Sequence, residues 1–123
     1  LATEVGSTDP NQGRTEAQGI LEAENQGIIS NPQRSPEGRN GPDFISDYNG
    51  NTGVNTEIKT PRRPIYRPIE TQVEDISGTI SEIQAENYVF VIDLGELNYN
   101  DATEFVNLWR NPTGRAVEFI NLP

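Results

Sequence analysis

Residues 42–59 read PDFISDYNGNTGVNTEIK, and this stretch decides which fold the rest of the chain can adopt. Pro42 opens a short strand at its first position, where a missing backbone N–H is tolerated. Asn49-Gly50 is a strong hairpin-turn pair, and the alternating residues that follow form a return strand. The stretch therefore predicts a β-hairpin with three parts: a strand over 42–46, turn chemistry over 47–53 and a strand over 54–59.

Upstream of the hairpin the sequence is polar and contains one helical pattern. Residues 1–13 have no hydrophobic periodicity, and we interpret them as a disordered leader or linker before a single domain over 14–123. Thr15 can cap a helix that ends at Gly27. The Pro, Gly and Asn residues of 30–41 predict a loop between this helix and the hairpin.

Downstream of the hairpin, apolar residues change from helical to extended spacing. A helix with one buried stripe is predicted from apolar residues spaced by four, three, four and three: Ile69, Val73, Ile76, Ile80 and Ile83. The apolar run over 88–92 is typical of a strand buried on both faces. A helix capped by Asn100 and a strand over 116–121 follow. This order predicts an α/β fold, with a central mixed sheet flanked by helices.

The composition narrows the chemistry that the chain can perform. Its 123 residues include 19 Asp and Glu against 9 Lys and Arg, with no Cys and no His. Disulfides, thiol catalysis, imidazole bases and imidazole metal ligands are therefore excluded. Any bound metal must be held by oxygen atoms, which favours Mg²⁺, Mn²⁺ or Ca²⁺.

The hydropathy and the first residues of the sequence indicate whether it contains a membrane span or a targeting segment. No apolar run approaches the roughly 18 residues of a membrane span. The sequence has neither an initial Met nor a basic segment followed by an apolar one. We therefore expect a piece of a longer protein or a processed product, with no membrane span in this segment.

Three side chains of the hairpin form a candidate site. Glu57 and Lys59 are two residues apart, so their side chains leave the same face of one strand. Asp43 can reach that face from the partner strand. Two carboxylates can hold a divalent cation that polarises a phosphate, and a lysine can orient water or offset negative charge in the transition state. The alternative is an ordinary ion pair on a solvated strand face.

The sequence Pro42-Asp43, followed after a gap by Glu57-Ile58-Lys59, resembles the motif of the PD-(D/E)XK nuclease superfamily. The resemblance implies a restriction-endonuclease-like core, in which a helix, a hairpin-containing sheet, a helix and another strand follow one another. It also implies that Asp43 and Glu57 are metal ligands and that Lys59 is the catalytic lysine.

A longer likeness covers roughly residues 14–121. There the chain is similar to the C-terminal toxin domains of contact-dependent growth inhibition proteins, on the following residues: a glutamate-bearing first helix, Gly27, Asn31-Pro32, Pro42-Asp43-Phe44, Glu57-Ile58-Lys59-Thr60-Pro61, Gln84-Ala85 and Val89-Phe90-Val91-Ile92-Asp93-Leu94. In those domains a glutamate of the first helix joins the metal site. The resemblance thus implies Glu16 as a further catalytic ligand, with Glu22 and Glu24 as competitors.

The basic residues cluster around the motif. Residues 33–67 hold six basic and four acidic side chains, whereas residues 68–123 hold two basic and ten acidic ones. Arg62, Arg63 and Arg67 follow the strand of Glu57 and Lys59, where a substrate backbone would pass, and we predict that they bind substrate. The alternative is that these arginines pair with the acidic helix that comes next.

The resemblance implies a metal-dependent endonuclease that uses Mg²⁺ or Mn²⁺ and cleaves tRNA or DNA, with tRNA favoured. It implies a secreted or cell-surface protein that delivers this domain, action in the cytoplasm of a target bacterium, and a cognate immunity protein as partner. Two other functions stay open: a cytoplasmic PD-(D/E)XK nuclease of repair or restriction, and a non-catalytic acidic interaction domain.

Overall fold

A five-stranded sheet extends on both sides of the predicted hairpin. The computed structural model describes residues 15–36, 42–65, 67–110 and 114–122, so the expected leader over 1–13 lies outside the described residues. The strands, in sheet order, are β1 (Ser30–Arg34), β2 (Phe44–Tyr48), β3 (Asn51–Lys59), β4 (Tyr88–Asp93) and β5 (Val117–Ile120). The helices are α1 (Glu16–Asn25), α2 (Ile69–Glu82) and α3 (Tyr99–Leu108).

The strand directions divide the sheet into two halves. β1, β2 and β3 pair antiparallel, whereas β3, β4 and β5 pair parallel. Parallel neighbours need a crossover connection, which α2 supplies between β3 and β4 and α3 supplies between β4 and β5. The predicted α/β fold with a mixed sheet flanked by helices is confirmed at this level.

Helices cover both faces of the sheet and bury two separate apolar clusters. α1 packs on one face, where its apolar side chains meet strand residues such as Ile58, Val91 and Ile120. α2 and α3 cover the other face over Ile92 and Phe119. β4 is buried along almost its whole length, as its continuous apolar run predicts.

The start and the end of α1 follow the predicted signals. The Thr15 hydroxyl accepts from the Gln18 N–H at 3.1 Å, and the Gln18 side chain accepts from the Thr15 N–H at 2.9 Å. This reciprocal pair satisfies two backbone donors that a helix start leaves open. Gly27 follows the last turn with a φ of 78°, a left-handed conformation that favours glycine. Glu16 therefore occupies the first position of the helix.

Two local predictions were wrong. Residues 30–34, predicted as loop, form the edge strand β1. They do so because their backbone pairs with β2, and this pairing cannot be predicted from their polar sequence. Pro32 is tolerated in β1 because an edge strand can leave a donor position unused. α3 is capped by Asn98 rather than Asn100, since the Asn98 side chain accepts from the Asp101 N–H at 2.8 Å.

The hairpin itself is tighter than predicted. β2 runs over Phe44–Tyr48 and β3 begins at Asn51, so the turn is limited to Asn49-Gly50. Both turn residues have positive φ, 51° and 82°, as a short hairpin turn requires. None of the helices in the described ranges is long and apolar enough to cross a membrane.

Candidate active site

The predicted site residues meet at one edge of the sheet, where β2 begins and β3 ends. β2 and β3 pair with Phe44 opposite Thr56. Asp43 directly precedes Phe44 and Glu57 directly follows Thr56, so the two acids lie next to the last paired residues at this end of the hairpin. The Asp43 carboxylate also accepts a hydrogen bond from the Ile58 N–H at 2.8 Å, which fixes it over the end of β3.

Glu57 and Lys59 form an ion pair on β3. Lys59 lines a groove together with Gln72 and Ile76 of α2, so the pair lies on the α2 side of the sheet. The Lys59 Nζ lies 3.3 Å from the Glu57 carboxylate. The side chains are 24% and 13% exposed for Lys59 and Glu57, respectively, so the pair is more enclosed than an ordinary surface ion pair. The expected sharing of one strand face by these two residues is therefore observed.

Glu16 reaches this group of residues from the start of α1. A side-chain hydrogen bond to Asp43, partial burial and the negative charge of Asp43 together raise the pKa of Glu16 from 4.5 to about 7, while Arg34 acts in the opposite direction. The N-terminus of a helix normally favours an ionised acid. The contact with Asp43 thus outweighs the helix dipole, and Glu16 keeps its proton, which it donates to Asp43, up to about pH 7.

Glu57 experiences the same concentration of negative charge. Burial raises its pKa, and the nearby Asp43 carboxylate raises it further, while Lys59 partly offsets both effects. The charge of Glu57 also contributes to the raised pKa of Glu16. The Asp43 carboxylate, just before β2, therefore raises the pKa values of both Glu16 in α1 and Glu57 in β3, which is the behaviour expected of acids gathered for a function.

Arg34 belongs to the same edge, and the sequence analysis did not place it there. It is the last residue of β1, opposite Phe44, and its guanidinium lies 5.0 Å from the Phe44 ring centroid. Its positive charge lowers the pKa of Glu16. The clustering of basic residues around the motif is the available signal, but the polar sequence of β1 predicts a loop and so gives Arg34 no place in the sheet.

The carboxyl groups suit a hard divalent cation by their chemistry. All of them offer oxygen, the donor that Mg²⁺ and Mn²⁺ prefer. Within the described ranges, however, no group of three or more Asp and Glu side chains is arranged to hold a metal ion at once. The proton that Glu16 keeps beside the Asp43 carboxylate is one that a bound cation would displace.

The competing glutamates of α1 lie farther along the helix. Glu24 is exposed and lines a groove beside the Asn49-Gly50 turn, at the opposite end of β2. Glu22 lies about 9 Å from Glu16 along the helix axis at 1.5 Å per residue. Of the three candidates, Glu16 is the one that the structure brings to Asp43.

The three arginines predicted to bind substrate have different surroundings. Arg67 pairs with Asp75 of α2 at 2.6 Å, and Arg63 pairs with Glu96 at 3.4 Å. Arg62 is exposed, and its guanidinium has no acidic partner among the described residues. The alternative pairing with the acidic helix therefore holds for Arg67.

Gln72 of α2 holds in place the backbone at Arg62 and at Arg67, which we call the arginine segment. Its side chain accepts from the Arg62 N–H at 2.8 Å and donates to the carbonyl oxygens of Arg62 and Arg67 at 2.8 and 3.0 Å. Gln72 is only 8% exposed, so these bonds satisfy a buried amide. The segment after β3 is thus tied to α2 next to Lys59.

Comparison with known proteins identifies no relative. No protein-family model matches the chain, no curated protein matches it, and no solved structure matches its fold.

Proposed function

We propose that this chain is a metal-dependent endonuclease domain of the PD-(D/E)XK type, acting as the toxin of a contact-dependent growth inhibition protein. The observation that carries the proposal is the meeting of Asp43, Glu57, Lys59 and Glu16 at one edge of the sheet. The order of elements supports it, because a helix, a hairpin-containing sheet, a helix and a parallel strand follow one another as in that superfamily.

The acidic residues would bind the cation, and their negative charges would neutralise its positive charge. Asp43, Glu57 and Glu16 are the ligands in this proposal. When bound, Mg²⁺ or Mn²⁺ supplies polarisation of the scissile phosphate and a lower pKa for the attacking water. A carboxyl group must lose its proton to bind a cation, and the pKa of Glu16 is raised to about 7, so ion binding would strengthen as the pH rises through about 7.

Lys59 would act on the reacting phosphate directly. Its ammonium group is held beside Glu57 at 3.3 Å and is enclosed enough for its charge to act through little water. There it orients the attacking water and stabilises the extra negative charge that develops on the phosphoryl oxygens. The water oxygen bonds to phosphorus and loses a proton to solvent, the bond to the leaving sugar oxygen breaks, and the leaving oxygen takes up a proton from solvent, so one water is consumed for each bond cleaved.

The proposal includes a place of action and a partner. The domain would be delivered as part of a larger secreted or cell-surface protein and would cleave tRNA or DNA in the cytoplasm of a target bacterium. A cognate immunity protein would neutralise it in the producing cell. The ten acidic and two basic residues of 68–123 favour a basic partner surface, which would speed association at low salt.

A direct test is incubation of the purified protein with total tRNA and with plasmid DNA, each with Mg²⁺, with Mn²⁺ or with EDTA. Cleavage of either substrate that requires the divalent ion is expected. Intact tRNA and intact plasmid in all metal-containing reactions would reject the nuclease function. Cleavage that persists in EDTA would reject the metal-dependent mechanism.

A non-catalytic acidic interaction domain is the second candidate. It is favoured by the finding that the described carboxylates are not already arranged as a three-ligand metal group. The two candidates differ in a thermal unfolding experiment, because a cation that binds the folded state raises Tm by mass action. A Tm that does not respond to Mg²⁺ or Mn²⁺ favours the interaction domain.

A further inference from the structure

We infer that the groove between the end of β3 and α2 binds one unpaired nucleotide next to the scissile phosphate, so that the substrate is a single-stranded segment of nucleic acid. This inference deepens the proposed function and relies on it for the reaction. It adds the substrate class, which the carboxylate site alone does not define.

The groove begins at the proposed catalytic lysine. Lys59 lies on its wall together with Arg62, Arg67 and Gln72, and its volume is about 260 Å³. Ile76 adds apolar surface to the same groove. A molecule seated here has one end within reach of Lys59, apolar contact with Ile76 and two guanidinium groups beside it.

The size of the groove limits what can enter. Sites for drug-sized ligands usually measure about 300–1,000 Å³, so this groove suits one nucleotide rather than a longer stretch. In a duplex the bases are stacked inside and their faces are not available to a side groove. Proteins that read single-stranded segments instead take splayed bases onto aromatic rings or guanidinium planes.

The two arginines of the groove differ in their charge partners, and this gives them different roles in binding. Asp75 holds the Arg67 guanidinium with two contacts, from Nε at 2.7 Å and from the second nitrogen at 2.6 Å. Both contacts are to the same Asp75 oxygen; they orient the guanidinium plane of Arg67, as stacking on a base requires, and partly offset its charge. Arg62 is exposed and has no acidic partner among the described residues, so its charge is available for a phosphate.

Gln72 connects the groove to the fold. Its three hydrogen bonds hold the backbone of Arg62 and of Arg67 against α2. The arginine segment is therefore positioned before any ligand arrives. Gln72 is a positioning residue in this scheme, because it acts on the substrate through the arginines.

The overall charge also favours a short, unpaired substrate. A protein that follows a duplex neutralises many phosphates, and its affinity then falls steeply with salt. This chain has 9 Lys and Arg for a formal charge of −10, and of the three basic residues that line the groove, Lys59 and Arg67 are already paired with Glu57 and Asp75. We expect a shallow salt dependence, with only a few phosphates contacted.

Binding can be measured without cleavage by using fluorescence anisotropy in EDTA. The probes are a labelled RNA oligonucleotide, the same RNA annealed to its complement, and the DNA versions of both. We expect the unpaired oligonucleotide to bind at least about tenfold more tightly than its duplex, and the RNA–DNA difference to show which sugar the groove accepts. Equal binding of single strand and duplex, or no binding of either, overturns the inference.

Matched arginine variants identify the groove as the binding site. Arg62→Ala should reduce the slope of log affinity against log salt by about 0.7, the value for one phosphate of a single strand. Arg67→Ala should weaken binding with little change in slope, because Asp75 already pairs with Arg67. Arg110→Ala removes an exposed arginine that does not line the groove and should change neither. An unchanged slope in Arg62→Ala contradicts the assignment.

Gln72→Glu separates positioning from stability. The glutamate can still accept from the Arg62 N–H but can no longer donate to the two carbonyl oxygens. We expect KM to rise about tenfold on an unpaired substrate with kcat nearly unchanged. A fall in kcat at constant KM would instead assign Gln72 to the reaction itself.

The outcomes also separate this inference from the proposed function. Tight binding of single strands without any metal-dependent cleavage leaves the groove in place and rejects the nuclease. Metal-dependent cleavage that treats paired and unpaired segments alike leaves the nuclease in place and rejects the groove.

Discussion

The two ends of α1 and β2 carry matched pairs of acids that have different surroundings. At the site end, Glu16 of α1 shares a hydrogen bond with Asp43, just before β2. At the hairpin end, Glu24 of α1 and Asp47 of β2 line one groove beside the turn. Asp47 accepts a hydrogen bond from the Asn31 side chain at 2.8 Å, and Glu24 is exposed.

The comparison shows that groove size does not mark the site. The hairpin-end groove measures about 480 Å³, against about 260 Å³ for the groove beside Lys59. The difference lies in what the acids contact. At the hairpin end Asp47 meets a neutral amide donor, whereas at the site end carboxyl groups are held against each other, at a cost in free energy that a function can explain.

The largest expected effect is on cleavage. Under the proposed function, Lys59→Ala and Asp43→Asn should each lower kcat by about 10²-fold or more, because Lys59 would stabilise charge on the phosphate and Asp43 would be a metal ligand. Asp47→Asn is the matched control at the hairpin end and should retain normal kcat. Cleavage is measured on the substrate found in the tRNA and plasmid test, with far-ultraviolet circular dichroism as the check on folding.

This experiment can break the comparison in two ways. Normal cleavage by both Lys59→Ala and Asp43→Asn would remove the site from this edge of the sheet. A loss of cleavage in Asp47→Asn equal to that in Asp43→Asn would show that both ends matter alike.

The next largest effect is a loss of folding stability when Gly19 is substituted, because α1 lies very close to the sheet at this residue. A Cβ at Gly19 would lie 2.8 Å from the Ile58 Cγ2 and 3.4 Å from the Asp93 Oδ2. Ile58 is buried and cannot move aside, so Gly19→Ala should lower the free energy of unfolding by about 1–3 kcal/mol. Because α1 carries Glu16, kcat should fall as well.

Gly78 of α2 is the matched control for Gly19. Nothing lies within 4 Å of a Cβ at that position, so Gly78→Ala should raise the free energy of unfolding by about 0.5–1 kcal/mol through helix propensity. Urea unfolding at constant m-value measures both variants. A stable Gly19→Ala protein would show that α1 can shift without cost.

A smaller effect is expected from the hairpin end. The Tyr48 hydroxyl donates to the Glu118 carboxylate at 2.6 Å and joins β2 to β5. Tyr48→Phe should lower the free energy of unfolding by about 1–2 kcal/mol, since a bond to a charged group is lost. Cleavage at a temperature where the variant is folded should be normal. A loss of kcat would mean that the hairpin end has a functional as well as a structural role.

Much of the fold was predictable because its main signals are local. The stripe of α2, the apolar run of β4 and the Asn49-Gly50 turn each depend on neighbours in sequence. The strand β1 was missed because its structure depends on pairing with β2, and its polar residues show no alternation. Asn98 and Asn100 are both suitable caps, so residue type alone could not choose between them.

The sequence predicts which residues belong to the candidate site better than it predicts which of them contact each other. The spacing of Glu57 and Lys59 places both on one face by strand geometry alone. The contact of Glu16 with Asp43 joins a helix start to a strand start, and no local rule gives that distance. The same holds for the tie of Gln72 to the arginine segment and for the place of Arg34, which are properties of the packed fold.

The smallest expected effect is a pH dependence that belongs to Glu16. Its pKa is raised to about 7 by Asp43 and burial, from 4.5, so between these values the folded state binds more protons than the unfolded state. The stability contributed by this group is therefore fully present below about pH 4.5 and is lost as the pH rises through about 7. The effect is reduced because much of the residue is open to solvent.

A difference experiment isolates this contribution from that of the other acids. Tm is measured from about pH 4 to about pH 8 for the wild type, for Glu16→Gln and for Glu24→Gln. Glu16→Gln should flatten the fall in Tm toward pH 8, and Glu24→Gln should follow the wild type. Added Mg²⁺ should stabilise the wild type more at about pH 8 than at about pH 5, because at the lower pH the ion must displace the proton on Glu16. An equal response to Mg²⁺ at both values would mean that the ion binds elsewhere, and the contrast between the two ends of α1 would then be one of packing alone.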